Sequence, residues 1–213
     1  MLILLLIVLF FHHNNLYKER DYELSMLVHE STRGEVEQKL GMMSDFLKME
    51  YLESCIKQHR DFDIKKFCNL KLADLYASRN MFLEAARNAA AAAEIASTFK
   101  EKAQAYMKET ELWIKSGQYE RADEAFRKAL ASGNTQEKFE MKMAIKELYL
   151  KQAQAYEKAM RNTNALKIYL RLLEITDDAG KLEIKKKVLD LYKKLGKIRE
   201  YSVLKAQLEG RAL

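Results

Sequence analysis

The sequence predicts an all-α chain built from stacked antiparallel helical hairpins, and three observations carry that expectation. No proline occurs in 213 residues and glycine is scarce at seven, whereas average usage of about 5% would give roughly ten prolines. Hydrophobic residues make up 48% and charged residues 32% of the chain, which is the balance of a folded protein rather than a disordered one. Third, aromatic and small residues recur at helical spacing on either side of short corners. In residues 115–130, KSGQYERADEAFRKAL, Gly117 and Tyr119 mark a corner, and Ala122, Phe126 and Ala129 fall on one face of the helix that follows.

The chain opens with eleven apolar residues, MLILLLIVLFF, and turns polar at His12, His13, Asn14 and Asn15. A bilayer span needs about 20 apolar residues, and as a secretory signal the run lacks a preceding Lys or Arg and a small-residue cleavage site. Three readings of residues 1–15 stay open: a membrane anchor, an apolar arm docked on the protein, or a start assigned upstream of the true one near Met26 or Met42. Residues 16–60 are expected to form N-terminal helices capping the array. Leu16, Leu24 and Leu27 give the first an amphipathic spacing, and Thr32 with Glu35 has capping-box spacing for the second. That second helix is expected to run unbroken to about His59, with Val36, Leu40, Met43, Leu47, Tyr51 and Cys55 as its apolar stripe.

Residues 61–213 hold the hairpins. Asp61 should cap a helix turned inward through Phe67, Leu72, Leu75 and Tyr76, and Ser78, Arg79 and Asn80 make the corner. The alanine-rich stretch around Ala85, Ala89 and Ala92 presents a thin surface that a neighbouring backbone can approach closely. Tyr106, Leu112 and Trp113 anchor the next helix before the corner at Gly117. Gly133 is expected in the left-handed conformation, with Asn134 or Thr135 capping a helix of roughly 25 residues, ~37 Å long. A helix over residues 162–176 pairs back on it, residues 177–180 break the chain, and a last hairpin turns at Gly196.

Over residues 62–209 the chain resembles the tetratricopeptide (TPR) repeat family, in which the first helix of each hairpin carries aromatics and the second carries Ala, an aromatic four on, and Ala three further. Tyr106, Trp113, Ala122, Phe126 and Ala129 follow that pattern. The preceding unit supplies Leu72, Ala73, Tyr76, Ala85, Ala89 and Ala92, and the following one Tyr149, Ala153, Tyr156, Ala165, Tyr169 and Leu172. A last unit matches through Val188, Tyr192, Gly196 and Leu208, with Tyr201 where a small residue is expected and Lys205 where an aromatic is. The closing proline is missing throughout. Tyr76, Trp113, Tyr156 and Tyr192 are separated by 37, 43 and 36 residues rather than a constant 34, so the units look more like the long hairpins of the soluble NSF-attachment proteins. The resemblance implies a right-handed TPR-like α-solenoid and a non-catalytic protein-protein interaction adaptor or scaffold, holding a partner segment on the concave face.

The residues themselves offer little chemistry. Four histidines are dispersed and no HExxH, glycine-rich phosphate loop or GxSxG appears, so neither enzyme activity, a cofactor nor a metal site is expected. Glu109 with Glu111 reads as surface charge. Cys55 and Cys68, without clustered ligands, read as two buried thiols in a reducing, cytoplasmic compartment, with membrane association only if residues 1–11 act as an anchor. By spacing against the anchors, Lys71, Asp74 and Gln104 should be exposed on the concave face, with Lys108, Glu111, Lys115, Lys151, Gln154, Lys158, Lys186, Asp190, Lys193 and Lys194 as the candidate partner-binding residues. TPR domains that capture a terminal carboxylate pair Lys with Asn; here Asp74, Glu111, Gln154 and Asp190 stand at the Asn place, which argues against that mode and leaves a lysine-lined groove for an acidic protein or peptide. Nucleic acid or the ribosome is the alternative partner, because residues 181–213 carry ten Lys/Arg against four Asp/Glu.

Overall fold

The computed structural model describes residues 28–210, so the apolar segment at residues 1–15 and most of the helix expected over residues 16–30 lie outside the described residues. Within them the protein is all-helical: α1 (Arg33–Gly41), α2 (Asp45–Gln58), α3 (Phe62–Ser78), α4 (Phe82–Glu94), α5 (Phe99–Lys115), α6 (Tyr119–Ser132), α7 (Thr135–Lys158), α8 (Asn162–Ile175), α9 (Asp178–Lys194) and α10 (Ile198–Leu208). No strand occurs among the described residues. The chain divides into two compact units, with the boundary inside α5 between Ala105 and Tyr106.

One corner geometry occurs four times. Met81, Gln118, Arg161 and Lys197 each precede a second helix with φ between −82 and −91° and ψ between 59 and 69°. Their amides donate to the carbonyls of Tyr76, Trp113, Tyr156 and Tyr192 at 2.8–2.9 Å. The residue just before each, Asn80, Gly117, Met160 or Gly196, is left-handed, with φ between 57 and 77°. A left-handed residue here lets the last carbonyls of the first helix be satisfied while the chain reverses. Four residues beyond each cap stand Ala85, Ala122, Ala165 and Tyr201, whose amides close the first turn of the second helix. The three alanines are wholly buried. Tyr201 is too large for that place, and α10 buries no residue fully.

In the first unit, α2 packs on α3 and α3 on α4. Val36, Leu40, Tyr51, Leu52, Cys55, Ile64, Cys68 and Leu72 form its core. Thr32 caps α1 as expected, accepting from the Glu35 amide, and the Glu35 carboxylate reaches back to the Ser31 amide at 2.7 Å. The expected single helix to His59 is instead two, because Gly41 and Met42 end α1 and Ser44 starts α2. Glycine holds a helix weakly and serine competes for backbone groups, so the apolar stripe continues across a broken backbone. Asp61 caps α3 through the amides of Asp63 and Ile64.

Cys55 and Cys68 are joined in a disulfide, with their Cα atoms 6.5 Å apart. This corrects the expectation of two free thiols. The corner between α2 and α3 brings the two positions face to face, a proximity that a 13-residue sequence separation does not reveal. Lys66, only 4% exposed, donates to Glu101 at 2.6 Å and lies 3.0 Å from Asp63, which also pairs with Arg33. The Arg33 guanidinium and then Lys66 hold the Asp63 carboxyl below its ordinary value, and Lys66 does the same to Glu101.

The second unit carries α6 to α10 and the carboxyl end of α5. Trp113 is 5% exposed, lies under the Arg121 guanidinium at 4.9 Å, and donates from Nε1 to Glu109 at 2.9 Å. Glu109 is therefore a buried partner of the tryptophan, not surface charge. Gly133 has φ −91°, so the expected left-handed conformation is absent. The glycine instead leaves room for Met141, whose Cε a Cβ there would meet at 2.5 Å. Asn134 and Glu137 form a reciprocal capping box that starts α7. The break expected over residues 177–180 shrinks to Thr176 and Asp177, because Asp177 caps α9 through the Gly180 amide.

Candidate functional site

α7 exceeds both neighbours, with 24 residues against 14 in α6 and 14 in α8. Its line Met141, Ile145, Tyr149, Ala153 is buried against them, so the other side of the helix is left over. Both α7 and α9 pack against α8, and two rungs place them side by side. Midway along α7, Lys146 Nζ lies 3.8 Å from Oδ1 of Asp177, the cap of α9; further along, Lys187 Nζ lies 3.9 Å from Glu157 Oε2. The rungs progress in the same direction along both helices, so the two run parallel. A Cβ at Gly180 would stand 2.7 Å from Thr176 Cγ2 in the same corner and 3.1 Å from Lys146 Nζ.

This pairing brings two sets of the sequence-selected residues together. Lys151, Gln154 and Lys158 on α7 and Lys186, Asp190, Lys193 and Lys194 on α9 are all exposed. Several charges are shared within their own helix: Lys151 with Glu147 at 2.7 Å and Lys194 with Asp190 at 2.6 Å. Exposed pairs one helical turn apart contribute only ~0.3–0.5 kcal/mol, so a ligand can displace them. On α5, Lys115 pairs with Glu111 at 2.7 Å, and Lys108 is half-buried. Lys71 departs from expectation, since it is half-buried, pairs with Glu37 of α1 at 2.6 Å and lies 5.2 Å over the Phe67 ring. The helix that precedes the first hairpin thus covers part of the face on which Lys71 was expected to be open.

A half-exposed polar network joins α8 to α6. Arg171 on α8 pairs with Glu120 and Asp123 on α6 and lies 5.4 Å from the Tyr119 ring. Tyr149 donates to Asp123 at 3.0 Å and Tyr169 to Glu157 at 2.9 Å. Burial first, and then these acidic neighbours, push both phenols well up from their ordinary value. The network lines a cleft of about 550 Å³ that includes Tyr119, Tyr156, Lys167 and Arg171, but Arg171 is already committed to two carboxylates. Sequence reasoning missed it because Asp123 and Arg171 are 48 residues apart and neither forms a local motif.

Among the described residues no group of three or more His, Cys, Asp or Glu side chains could hold a metal ion, and no helix is long and apolar enough to cross a membrane. No family model and no curated protein matches the sequence.

Proposed function

We propose that the protein is a non-catalytic adaptor or scaffold, a TPR-like α-solenoid that holds a segment of a partner protein along the first helices of its hairpins. The observation that carries this reading is the side-by-side, parallel placement of α7 and α9 with exposed Lys151, Gln154, Lys158, Lys186, Asp190 and Lys193 on both. The four repeated corners support it, because a repeat of one hairpin builds a surface in which successive first helices are neighbours. Purification of the tagged full chain from its native cell tests the reading. A defined protein partner should survive nuclease and be lost with Lys151→Glu and Lys158→Glu together; retention of that partner by the double variant would remove the binding role from this face.

A second reading takes the basic carboxyl-terminal hairpin as a nucleic-acid or ribosome contact. Lys187, Lys194 and Lys197 have acidic partners, while Lys186, Lys193 and Arg199 are exposed without an ion pair among the described residues. Phosphate contacts of this kind weaken steeply with salt. A nuclease-sensitive, salt-sensitive set of ribosomal or RNA-binding proteins in the same eluate would favour it.

A further inference from the structure

Beside the lysines, α7 exposes three large apolar side chains that the Arg171 network does not use: Phe139 at 61%, Met143 at 51% and Leu150 at 36%, with Leu182 of α9 at 53%. Phe139, Met143, Glu147, Leu150, Gln154 and Lys158 are spaced 4, 4, 3, 4 and 4, which is one face of one helix. On α9, Leu182, Lys186, Asp190 and Lys193 are spaced 4, 4 and 3 and form the matching line. The rung at Lys146 and Asp177 sets the register. Leu150 lies one turn beyond Lys146 and Leu182 shortly beyond Asp177, so the two leucines share a level. The rung at Glu157 and Lys187 likewise puts Lys158 level with the basic stretch of α9. The face therefore changes character along its length, from mainly apolar toward the amino ends of the helices to mainly basic toward their carboxyl ends. From Phe139 to Lys158 it extends ~29 Å at 1.5 Å per residue.

We infer that this face takes an amphipathic segment of a partner protein, about 15–20 residues long if helical, with apolar residues at three- and four-residue spacing in one half and Asp or Glu in the other. This rests on the adaptor reading and names the chemistry of its partner. Charge and apolar complementarity select the occupant. The apolar half binds by removing Phe139, Met143, Leu150 and Leu182 from water. The basic half adds direction and on-rate by steering acidic residues to Lys158, Lys186 and Lys193. A nucleic-acid strand satisfies the lysines but leaves the apolar half in water. A second copy of the chain covers the apolar half but brings another basic end with it.

The test uses the full chain and a displayed library of 20-residue peptides, followed by binding of enriched peptides to the wild type, Leu150→Asp and the Lys151→Glu, Lys158→Glu double variant. Both variants alter exposed side chains, and unchanged helical circular dichroism keeps a loss of binding interpretable. Enriched peptides should carry the apolar half and the acidic half in that arrangement. Their affinity should fall at least tenfold in each variant, and the wild-type affinity should weaken with salt. Neutral or basic enriched peptides, or acidic ones indifferent to both variants, overturn the inference and leave the adaptor reading standing. Failure to enrich any peptide also overturns it, and loss of every protein partner in the native purification would then sink the adaptor reading separately. A stable dimer in solution that dissociates on Phe139→Glu assigns the face to a second copy instead, and binding to phosphatidylserine vesicles in place of peptides assigns it to a membrane surface.

Discussion

Met160 holds the left-handed corner position that glycine occupies in two of the other three hairpins, at φ 57°. Its side chain is 79% exposed, so it gains almost nothing by packing. A side chain in this conformation costs ~1–2 kcal/mol that glycine does not incur, offset in part by the greater freedom of glycine in the unfolded chain. Met160→Gly should therefore stabilise the protein by about 0.5–1 kcal/mol in urea unfolding, and a destabilised variant would mean that the methionine has a partner. The carbonyl-accepting aromatics and the small residues of these corners were legible from residue types alone. The identity of the left-handed residue was legible only at Gly117 and Gly196, because asparagine and methionine carry no comparable signal. Glu109 reads as surface charge in the sequence for a similar reason: its partner, Trp113 Nε1, lies one turn along α5, and composition does not say which side of a helix is covered.

At the scale of elements, α2 and α3 are fastened by the Cys55–Cys68 disulfide. Closing a loop of this size removes chain entropy from the unfolded state worth about 3 kcal/mol. Reduction should lower stability by that order, read as a shift of the urea midpoint with and without reductant; a shift below ~0.5 kcal/mol would mean that the bond is not formed in the folded protein. The same unit ties α1, α3 and α5 together through Arg33, Asp63, Lys66 and Glu101. Asp63 and Glu101 have folded-state values depressed below their ordinary ones. Their contribution is thus complete above the ordinary carboxylate range of about 4 and is lost as pH falls through the depressed values. Melting temperature should drop on acidification below about pH 4, and the drop should be shallower in Lys66→Met; identical slopes would remove Lys66 from the network. Helix existence was readable from periodicity across most of the chain. Helix breaks were not, as the division at Gly41 and Met42 shows, since an apolar stripe can cross a corner without losing its phase.

At the largest scale, Trp113 sits between Glu109 and Arg121 in the second unit. Replacing a buried Trp by Ala typically removes about 3–5 kcal/mol. Trp113→Ala should lower stability by that amount, and the helical signal should fall in one transition for the whole second unit, as expected if its helices bury their faces only against one another. A loss below ~1 kcal/mol would place Trp113 at the surface. The sequence by itself determined the all-helical class, the positions of the four hairpin corners and the exposed lysines of α7 and α9, because each depends on residue type at short, periodic spacing. Only the tertiary structure decided the Cys55–Cys68 bond, the Arg171 network and the parallel rungs that align Leu150 with Leu182 and Lys158 with the basic stretch of α9. Those rest on contacts between residues far apart in the chain, whose meeting is set by how helices pack and not by what any local stretch prefers.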